Sequence, residues 1–340
     1  MVYQLLHKIE SNLDKIRKKK LIDQEIDSHD TIIIAGAPRS GTTWLAEIIE
    51  NIPEYSSVLE PLNPAWFPLS YKVGFRPHMF LPNNADWKEG KKHLEDILTG
   101  KVISIKPLYR LTPSNIVTRL SSNKLVVKFI RANLILPWIS ENFKYRAIIF
   151  IIRHPCAVVL SQLRTGFCGY THPGQPDRNY FPKKEEILNE ACKIKFINKD
   201  LLKKIQNISS VEEILAVLWC LDNLIPLYYL KNNKPSKWIF TTYEQLSTDG
   251  LKEIHRICDI IQEKKGLKNM LKHLEVPSIT TFMKKSSNVT KNNLQISKWK
   301  RDLSEKQIEK ILNIVNWFNL DLYNYDSLPD DNFLEKWSLI

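Results

Sequence analysis

Four short apolar runs recur along the chain, separated by segments of helical periodicity. The runs are TIIIAG (31–36), KLVVKFI (124–130), RAIIFIIR (146–153) and KWIFTTYEQL (237–246). Continuous apolar runs of this length, rich in β-branched residues, are typical of strands buried on both faces of a parallel sheet. Strands that alternate with helices predict a three-layer α/β fold, in which a central parallel sheet lies between two layers of helices.

Helical periodicity predicts where the helices lie between these runs. One helix is expected directly after the first run, and another after the third run, with Pro155 in its first turn, where proline is tolerated. Residues 185–233 predict two or more helices. Two further helices are predicted to begin at Asp249 and at the N-cap Ser304, whereas the polar residues 276–303 predict a loop.

The chain is predicted to form one domain with an N-terminal extension. Residues 1–30 are amphipathic and predict a helical extension, in which the basic run 17–20 is interpreted as a solvated helix end. Residues 31–340 predict a single domain with two loops rich in Pro and aromatic residues, at 61–90 and 164–182. Loops of this length in a compact domain are often lids over a site.

Composition narrows the class of ligand and the compartment. The 340 residues are 43% hydrophobic, which is enough for one sizeable core. The net charge of +12 is spread along the chain, so an anionic pocket is favoured over a nucleic-acid stripe. Five cysteines without CxxC spacing predict buried thiols in a reducing cytoplasm. Neither a signal peptide nor a run of the ~20 apolar residues that a membrane span needs is expected.

The stretch GAPRSGTT has the spacing of a phosphate-binding loop between a strand and a helix. Gly36 and Gly41 allow backbone N–H groups to turn inward on an anion, and the helix adds its positive N-terminal end. A P-loop kinase or NTPase would need a lysine where Thr42 stands, and an aspartate for Mg²⁺ where the third run ends on Arg153. The pattern therefore predicts a doubly anionic ligand bound directly through Arg39, without a metal.

Two motifs together resemble the sulfotransferases that use 3′-phosphoadenosine 5′-phosphosulfate (PAPS). APRSGTTWL resembles their 5′-phosphosulfate loop. IIRHPCAVVLSQL resembles their 3′-phosphate motif, an arginine at a strand end and a serine eight residues later, here Arg153 and Ser161. The motifs stand in family order at family spacing, and the resemblance runs over about residues 31–320. It implies PAPS as cofactor, the 3′,5′-bisphosphate PAP as product, and no metal.

The resemblance also implies roles for individual residues around the nucleotide. Arg39 would stabilise the charge that develops on the bridging oxygen as the nucleotide departs. The remaining implied cofactor contacts are Ser40, Gly41, Thr42 and Thr43 at the 5′-phosphate, Trp44 at the adenine, and Tyr243 in the nucleotide pocket. Trp299 and Lys300 match the end of a later cofactor loop, whose start at Lys284–Ser286 only approximates the family pattern.

The histidine base of the phenol and steroid sulfotransferases has no counterpart in the matching stretch. VVKFIRANLILP contains no histidine, and Arg131 stands at about its place. An arginine stays protonated and cannot accept a proton. Lys128 or Arg131 is therefore expected to bind sulfate oxygens instead.

Glu60 is the predicted general base. It stands twenty-one residues beyond Arg39, a spacing that resembles the tyrosylprotein sulfotransferases, which use a glutamate shortly after the first helix. Pro61 follows directly, so an extended backbone is predicted at Glu60. His172, His78 or the absence of a dedicated base are the alternatives.

The two long loops are predicted to form the acceptor site. Their candidate contacts, with Arg131, are Trp66, Phe67, Phe75, Phe167, Tyr170 and His172. Aromatic walls favour an apolar or ring-shaped acceptor. The abundance of Ile, Asn and Lys favours an AT-rich microbial genome, where such an enzyme could modify a secondary metabolite. The acceptor group is left open as a hydroxyl or an amine or guanidine nitrogen. A carbohydrate or tyrosyl acceptor is an alternative, and the oligomeric state is not predicted.

Overall fold

The computed structural model describes residues 26–102, 122–169, 181–276, 278 and 296–336. Several predicted features lie outside this part of the chain. They are most of the N-terminal extension, Tyr170, His172 and the start of the cofactor loop at Lys284–Ser286.

Five parallel strands form one sheet in the described part of the chain. They are β1 (Ile32–Ala35), β2 (Tyr55–Leu59), β3 (Lys124–Phe129), β4 (Ala147–Ile152) and β5 (Trp238–Thr242), in the order β2-β3-β1-β4-β5. The four strands predicted from apolar runs are confirmed. The predicted last run was too long, because Thr242 ends β5 and caps a short helix, accepting from the backbone N–H of Gln245.

Strand β2 was not predicted, because its sequence YSSVL contains two serines and forms no continuous apolar run. Tertiary hydrogen bonds satisfy both hydroxyl groups. Ser57 Oγ donates to Glu50 Oε2 over 2.9 Å, and Ser56 Oγ accepts from Ser122 Oγ over 2.7 Å. Pairing with β3 then places this segment at the edge of the sheet.

The helices confirm the predicted alternation with strands. In chain order they are α1 (Thr42–Ile49), α2 (Pro68–Lys72), α3 (Lys88–Leu98), α4 (Leu136–Asn142), α5 (Pro155–Thr165), α6 (Lys184–Ala191), α7 (Lys199–Asn207), α8 (Val211–Asn233), α9 (Tyr243–Thr248), α10 (Gly250–Ile261), α11 (Leu267–His273), α12 (Lys298–Asp302), α13 (Glu305–Trp317) and α14 (Asp331–Lys336). Ser304 caps α13 as predicted, with its side chain accepting from the N–H of Gln307. Helix α12 corrects the prediction of a loop over 276–303.

The sheet separates two hydrophobic cores, which confirms the three-layer fold. Alternate residues of a strand face opposite cores, so Ile33 belongs to one and Ile32 to the other. Helices α1, α10 and α11 cover one face, and α3, α4, α5, α8 and α13 cover the other.

Helix α8 alone, among the described helices, is long and apolar enough to span a membrane by length and composition. This corrects the expectation that no segment approaches those limits. Most of the helix is buried in the fold, where it packs against α5 and α13. The central helix of a folded core passes the same test, so this feature does not by itself indicate a membrane.

The carboxyl end of each strand leads into a residue singled out from the sequence. β1 leads into the glycine loop at Gly36, β2 into Glu60, β3 toward Arg131, β4 into Arg153 and β5 into Tyr243. Because all five strands are parallel, these ends meet at one edge of the sheet, where ligands of such folds bind.

Candidate functional site

The loop between β1 and α1 takes a shape that requires its glycines. A Cβ at Gly36 would lie 2.3 Å from the carbonyl oxygen of Ile151, and one at Gly41 would lie 2.6 Å from Cδ2 of Tyr243. Gly41 has φ +95° and Arg39 has φ +77°. A left-handed arginine is sterically disfavoured, and such strain concentrates at functional sites.

Polar atoms of this loop fit an anion. Ser40 Oγ and Arg153 Nε are buried and have no hydrogen-bond partner among the described residues. Helix α1 begins at Thr42, and its N-cap residue Gly41 has no side chain to cap it, so its first N–H groups remain available to a phosphate oxygen. Within the described residues, no cluster of His, Cys, Asp or Glu side chains could hold a metal ion.

Side chains of the two predicted phosphate motifs contact one another. Arg39 Nε donates to Ser161 Oγ over 3.0 Å. Nη1 of Arg153 donates to the carbonyl oxygen of Arg39 over 3.3 Å. The Arg153 guanidinium lies 4.1 Å from the centre of the Tyr243 ring. Trp44 lies beside Tyr243, with the ring centres 5.6 Å apart. The fold thus joins five of the predicted cofactor residues.

A lysine reaches the phosphate loop from a neighbouring strand. Lys128, in β3, donates from Nζ to Thr43 Oγ1 over 3.1 Å at the first turn of α1. Its Nζ also lies 3.0 Å from Glu60 Oε1, and both side chains are buried. Lys128 therefore brings an ammonium group to the start of α1, where the chain has Thr42 instead of the lysine of a P-loop NTPase. This ammonium group lies next to the predicted base.

Glu60 lies between two buried cations. Besides Lys128, the Nη1 of Arg131 lies 2.9 Å from Glu60 Oε2. Arg131 is only 1% exposed, and its Nε donates to the carbonyl oxygen of Gly169 over 2.7 Å. The structure thus places Arg131 in the interior as the partner of Glu60, rather than on an open acceptor wall. Its guanidinium also lies 5.7 Å from the centre of the Phe167 ring.

The extended backbone predicted at Glu60 is wrong, because φ is +52°. The chain reverses directly after β2, and the N–H of Asn63 donates to the carbonyl oxygen of Glu60 over 2.9 Å. Ser70 Oγ then donates to the carbonyl oxygen of Pro61 over 3.0 Å and lies 2.9 Å from His93 Nε2. Tertiary hydrogen bonds therefore outweigh the local preference of a residue before proline.

His78 forms a second buried acid–base pair near the loop. Its Nδ1 lies 2.7 Å from Asp222 Oδ1, and its φ is +58°. Gly169 lies between this histidine and the phosphate loop. A Cβ added at Gly169 would be 3.3 Å from His78 Nε2 and 2.6 Å from Cγ of Pro38 in that loop. Sequence reasoning missed Asp222, although a carboxylate inside the apolar helix α8 was a usable signal.

The sulfotransferase domain family matches this chain over residues 29–322. The chain belongs to the sulfotransferase family. No curated protein sequence matches this sulfotransferase significantly.

The solved structures that match this chain are distant in sequence. The sulfotransferase domain from the curacin biosynthetic pathway is 16% identical, covers 88% of this chain and 98% of its own, and has a TM-score of 0.41. The corresponding domain of a Synechococcus olefin synthase is 14% identical over 86% and 94%, with a TM-score of 0.45. A mouse sulfotransferase complexed with PAP is 14% identical over 95% and 93%, with a TM-score of 0.41.

The predicted aromatic wall of this sulfotransferase is only partly at the surface. Phe75 is completely buried in the core, which corrects its placement in the acceptor wall. Phe67 is also buried, Phe167 is half-buried, and Trp66 is exposed. Of the described residues, Trp66 and Phe167 thus retain the accessibility that an acceptor contact needs.

Trp299 and Lys300 lie in α12 rather than in an open loop. Trp299 is fully buried and stacks on His154, with ring centres 4.2 Å apart and an interplanar angle of 18°. The Nζ of Lys300 lies 4.8 Å from the centre of the Tyr325 ring. Trp299 therefore lies in the interior against His154, the residue that follows Arg153 in the chain.

Two titratable groups next to Arg153 were not identified from the sequence. Burial raises the pKa of Glu244, opposed by a hydrogen bond from Tyr323 and by the charge of Arg153. Burial lowers the pKa of His154 to about 3, so its ring is neutral. His154 Nδ1 accepts from the N–H of Cys156, which leaves Nε2 to donate to the carbonyl oxygen of Asn324.

Arg131→Met should lower the free energy of unfolding by about 1.5–3 kcal/mol, because it removes a buried charge-assisted hydrogen bond to Glu60, whose charge Lys128 still balances. Urea unfolding would measure this. Arg164→Met is the matched control, since the Arg164 side chain in α5 is 44% exposed and its partner Asp302 keeps a second arginine, Arg301, so the pair should contribute about 1 kcal/mol or less. Equal losses in both variants would contradict a special role for the buried cluster.

Proposed function

We propose that this sulfotransferase transfers a sulfuryl group from PAPS to a hydroxyl group, or to an amine or guanidine nitrogen, of a small-molecule acceptor. The observation that carries the proposal is the meeting of Arg39, from the glycine loop, with Ser161 and Arg153, from the second motif. Two phosphate-binding elements so close together suit a nucleotide with phosphates at both the 5′ and 3′ positions.

The residues present fit such a nucleotide. The N–H groups of residues 40–43, with Ser40 Oγ, would hold the 5′-phosphate, and Arg153 with Ser161 would hold the 3′-phosphate. Trp44 and Tyr243 would contact the adenine. PAPS, when bound, supplies an activated sulfate whose S–O bond to the nucleotide breaks in the reaction.

Arg39 and Lys128 are the cations proposed to stabilise the transfer. As the bond to the nucleotide breaks, negative charge grows on the bridging oxygen, and a guanidinium in a buried site stabilises it there. Lys128, whose Nζ contacts Thr43 and Glu60, would bind sulfate oxygens. Both cations are fixed before the reaction, so little reorganisation is needed.

Glu60 is proposed to take the proton of the acceptor as the new bond to sulfur forms. Its carboxylate lies at the carboxyl edge of the sheet, beside the lysine that reaches the phosphate loop. A carboxylate positioned in this way accepts one proton per sulfuryl group transferred. A carbohydrate or tyrosyl acceptor remains the alternative to a secondary metabolite, and a cytoplasmic location remains a prediction.

PAP should bind in the presence of EDTA, because the proposed phosphate ligands are protein cations and N–H groups. Arg153→Ala should weaken PAP binding roughly tenfold or more, since a charge-assisted contact is lost. Binding of adenosine 5′-monophosphate, which lacks the 3′-phosphate, should change little. Calorimetry with both nucleotides measures this, and loss of PAP binding on chelation would contradict direct recognition.

Arg39→Ala should lower turnover more than nucleotide affinity, because the contact strengthens as the bridging oxygen gains charge. Loss of a comparable donor costs on the order of a hundredfold in turnover. The measurement is the rate of PAP formation with a phenolic acceptor beside the dissociation constant of PAP. Equal losses in the two quantities would show that Arg39 only anchors phosphate.

Glu60→Gln should lower turnover by roughly a hundredfold to ten-thousandfold while PAP affinity hardly changes, since the amide keeps the shape but cannot accept the proton. The loss should be smaller with a phenol of low pKa, which is already a good nucleophile. If turnover stays near wild type with every acceptor tested, Glu60 is not the base. His78, paired with Asp222, is then the first residue to replace.

A further inference from the structure

One buried carboxylate joins the two chain segments that carry the nucleotide-binding side chains of β4 and β5. Ile152 and Thr242 are register partners at the ends of these strands, so the dipeptides that follow them are neighbours. Glu244 Oε1 accepts from the backbone N–H of His154 over 3.1 Å. This bond ties the dipeptide Arg153–His154 to the dipeptide Tyr243–Glu244.

The tie fixes the position of Arg153 relative to Tyr243. The guanidinium of Arg153 lies 4.1 Å from the centre of the Tyr243 ring, and the carbonyl oxygen of Arg153 accepts from Trp219 Nε1 over 3.0 Å. The backbone of this segment is therefore held from two sides. A long arginine side chain loses much rotamer freedom when it binds a phosphate, and a fixed backbone and a stacking ring reduce that loss on binding.

The second oxygen of the carboxylate brings in the C-terminal part of the domain. Glu244 Oε2 accepts from the hydroxyl group of Tyr323 over 2.6 Å, and Glu244 is completely buried. His154 stacks on Trp299 and donates to the carbonyl oxygen of Asn324. Glu244 and His154 thus dock segments 298–302 and 320–326 against the dipeptide that contains Arg153.

We propose that Glu244 is a positioning residue that sets specificity for the 3′-phosphate of the nucleotide by holding Arg153 against Tyr243. The carboxylate does not touch the nucleotide itself. It accepts two hydrogen bonds that orient the segment bearing the phosphate ligand, and its negative charge attracts the Arg153 guanidinium. This inference rests on the proposed binding of the 3′-phosphate by Arg153.

Glu244→Gln tests the inference with little change in shape. The amide can accept only one of the two hydrogen bonds, because its NH₂ group must face either the N–H of His154 or the hydroxyl of Tyr323. The probes are PAP and adenosine 5′-monophosphate, titrated by calorimetry in EDTA. PAP affinity should fall roughly tenfold or more, as expected for a charge-assisted bond, whereas affinity for the monophosphate should change less than about threefold.

Glu141→Gln is the matched control. Glu141 also accepts a hydrogen bond from a tyrosine hydroxyl group, that of Tyr229, but it lies in α4, away from the phosphate loop. This variant should leave the affinities for both nucleotides unchanged. If Glu244→Gln does not fold, Tyr323→Phe removes one of the two bonds and keeps the carboxylate. It should then lower the preference for PAP over the monophosphate about threefold, half of the larger loss on a logarithmic scale.

A double substitution separates the inference from the function on which it rests. In an Arg153→Ala background, Glu244→Gln should no longer change the preference for PAP, because the residue through which it acts is gone. If Arg153→Ala by itself leaves that preference unchanged, the assignment of the 3′-phosphate to Arg153 is wrong. If Arg153→Ala lowers the preference but Glu244→Gln does not, or weakens both nucleotides equally, only the role of Glu244 is overturned.

Discussion

Hydrogen bonding between parallel strands aligns the carboxyl ends of β1 to β5 at one edge of the sheet, and the site depends on this alignment. In the order β2-β3-β1-β4-β5, the strand that leads into the glycine loop lies between the strands that supply Lys128 and Arg153. A parallel sheet needs a crossover between successive strands, which commonly contains a helix. The same crossovers cover both faces and leave the edge for a ligand.

The charges at this edge are buried in groups that largely compensate one another. Glu60 lies between Lys128 and Arg131, Glu244 lies near Arg153, and a histidine pairs with the carboxylate of Asp222. Burial of an unpaired charge is costly, whereas paired charges in a medium of low dielectric hold one another firmly. The same arrangement that makes such clusters tolerable in the interior therefore also fixes the orientation of their donors.

Backbone strain is present at this edge, although it is not confined to it. Of the seven non-glycine residues with positive φ in the described part of the chain, Arg39, Glu60 and His78 lie around the phosphate loop or the predicted base. Each is held by tertiary contacts that its own segment does not provide, such as the bond from Ser70 to the carbonyl oxygen of Pro61. Stability elsewhere in the fold supports this strain, and the result is a set of donors and acceptors that is ordered before any ligand binds.

Contiguous features of the chain determined much of what was predicted. Residues close together in sequence specify four of the strands, the glycine loop and the arginine–serine motif. Apolar runs, periodicity and spacing within such short segments are enough to predict them. Sequence alone therefore supported the α/β fold and the family.

The long-range contacts of the site could not be predicted in this way. Strand β2 exists through its partner β3, the left-handed turn at Glu60 goes against its local preference, and Trp299 is buried by the packing of α12. Lys128 reaches Thr43, and Glu244 reaches His154, across strands whose order only the tertiary structure decided, because side-chain contacts between distant segments depend on how those strands pair.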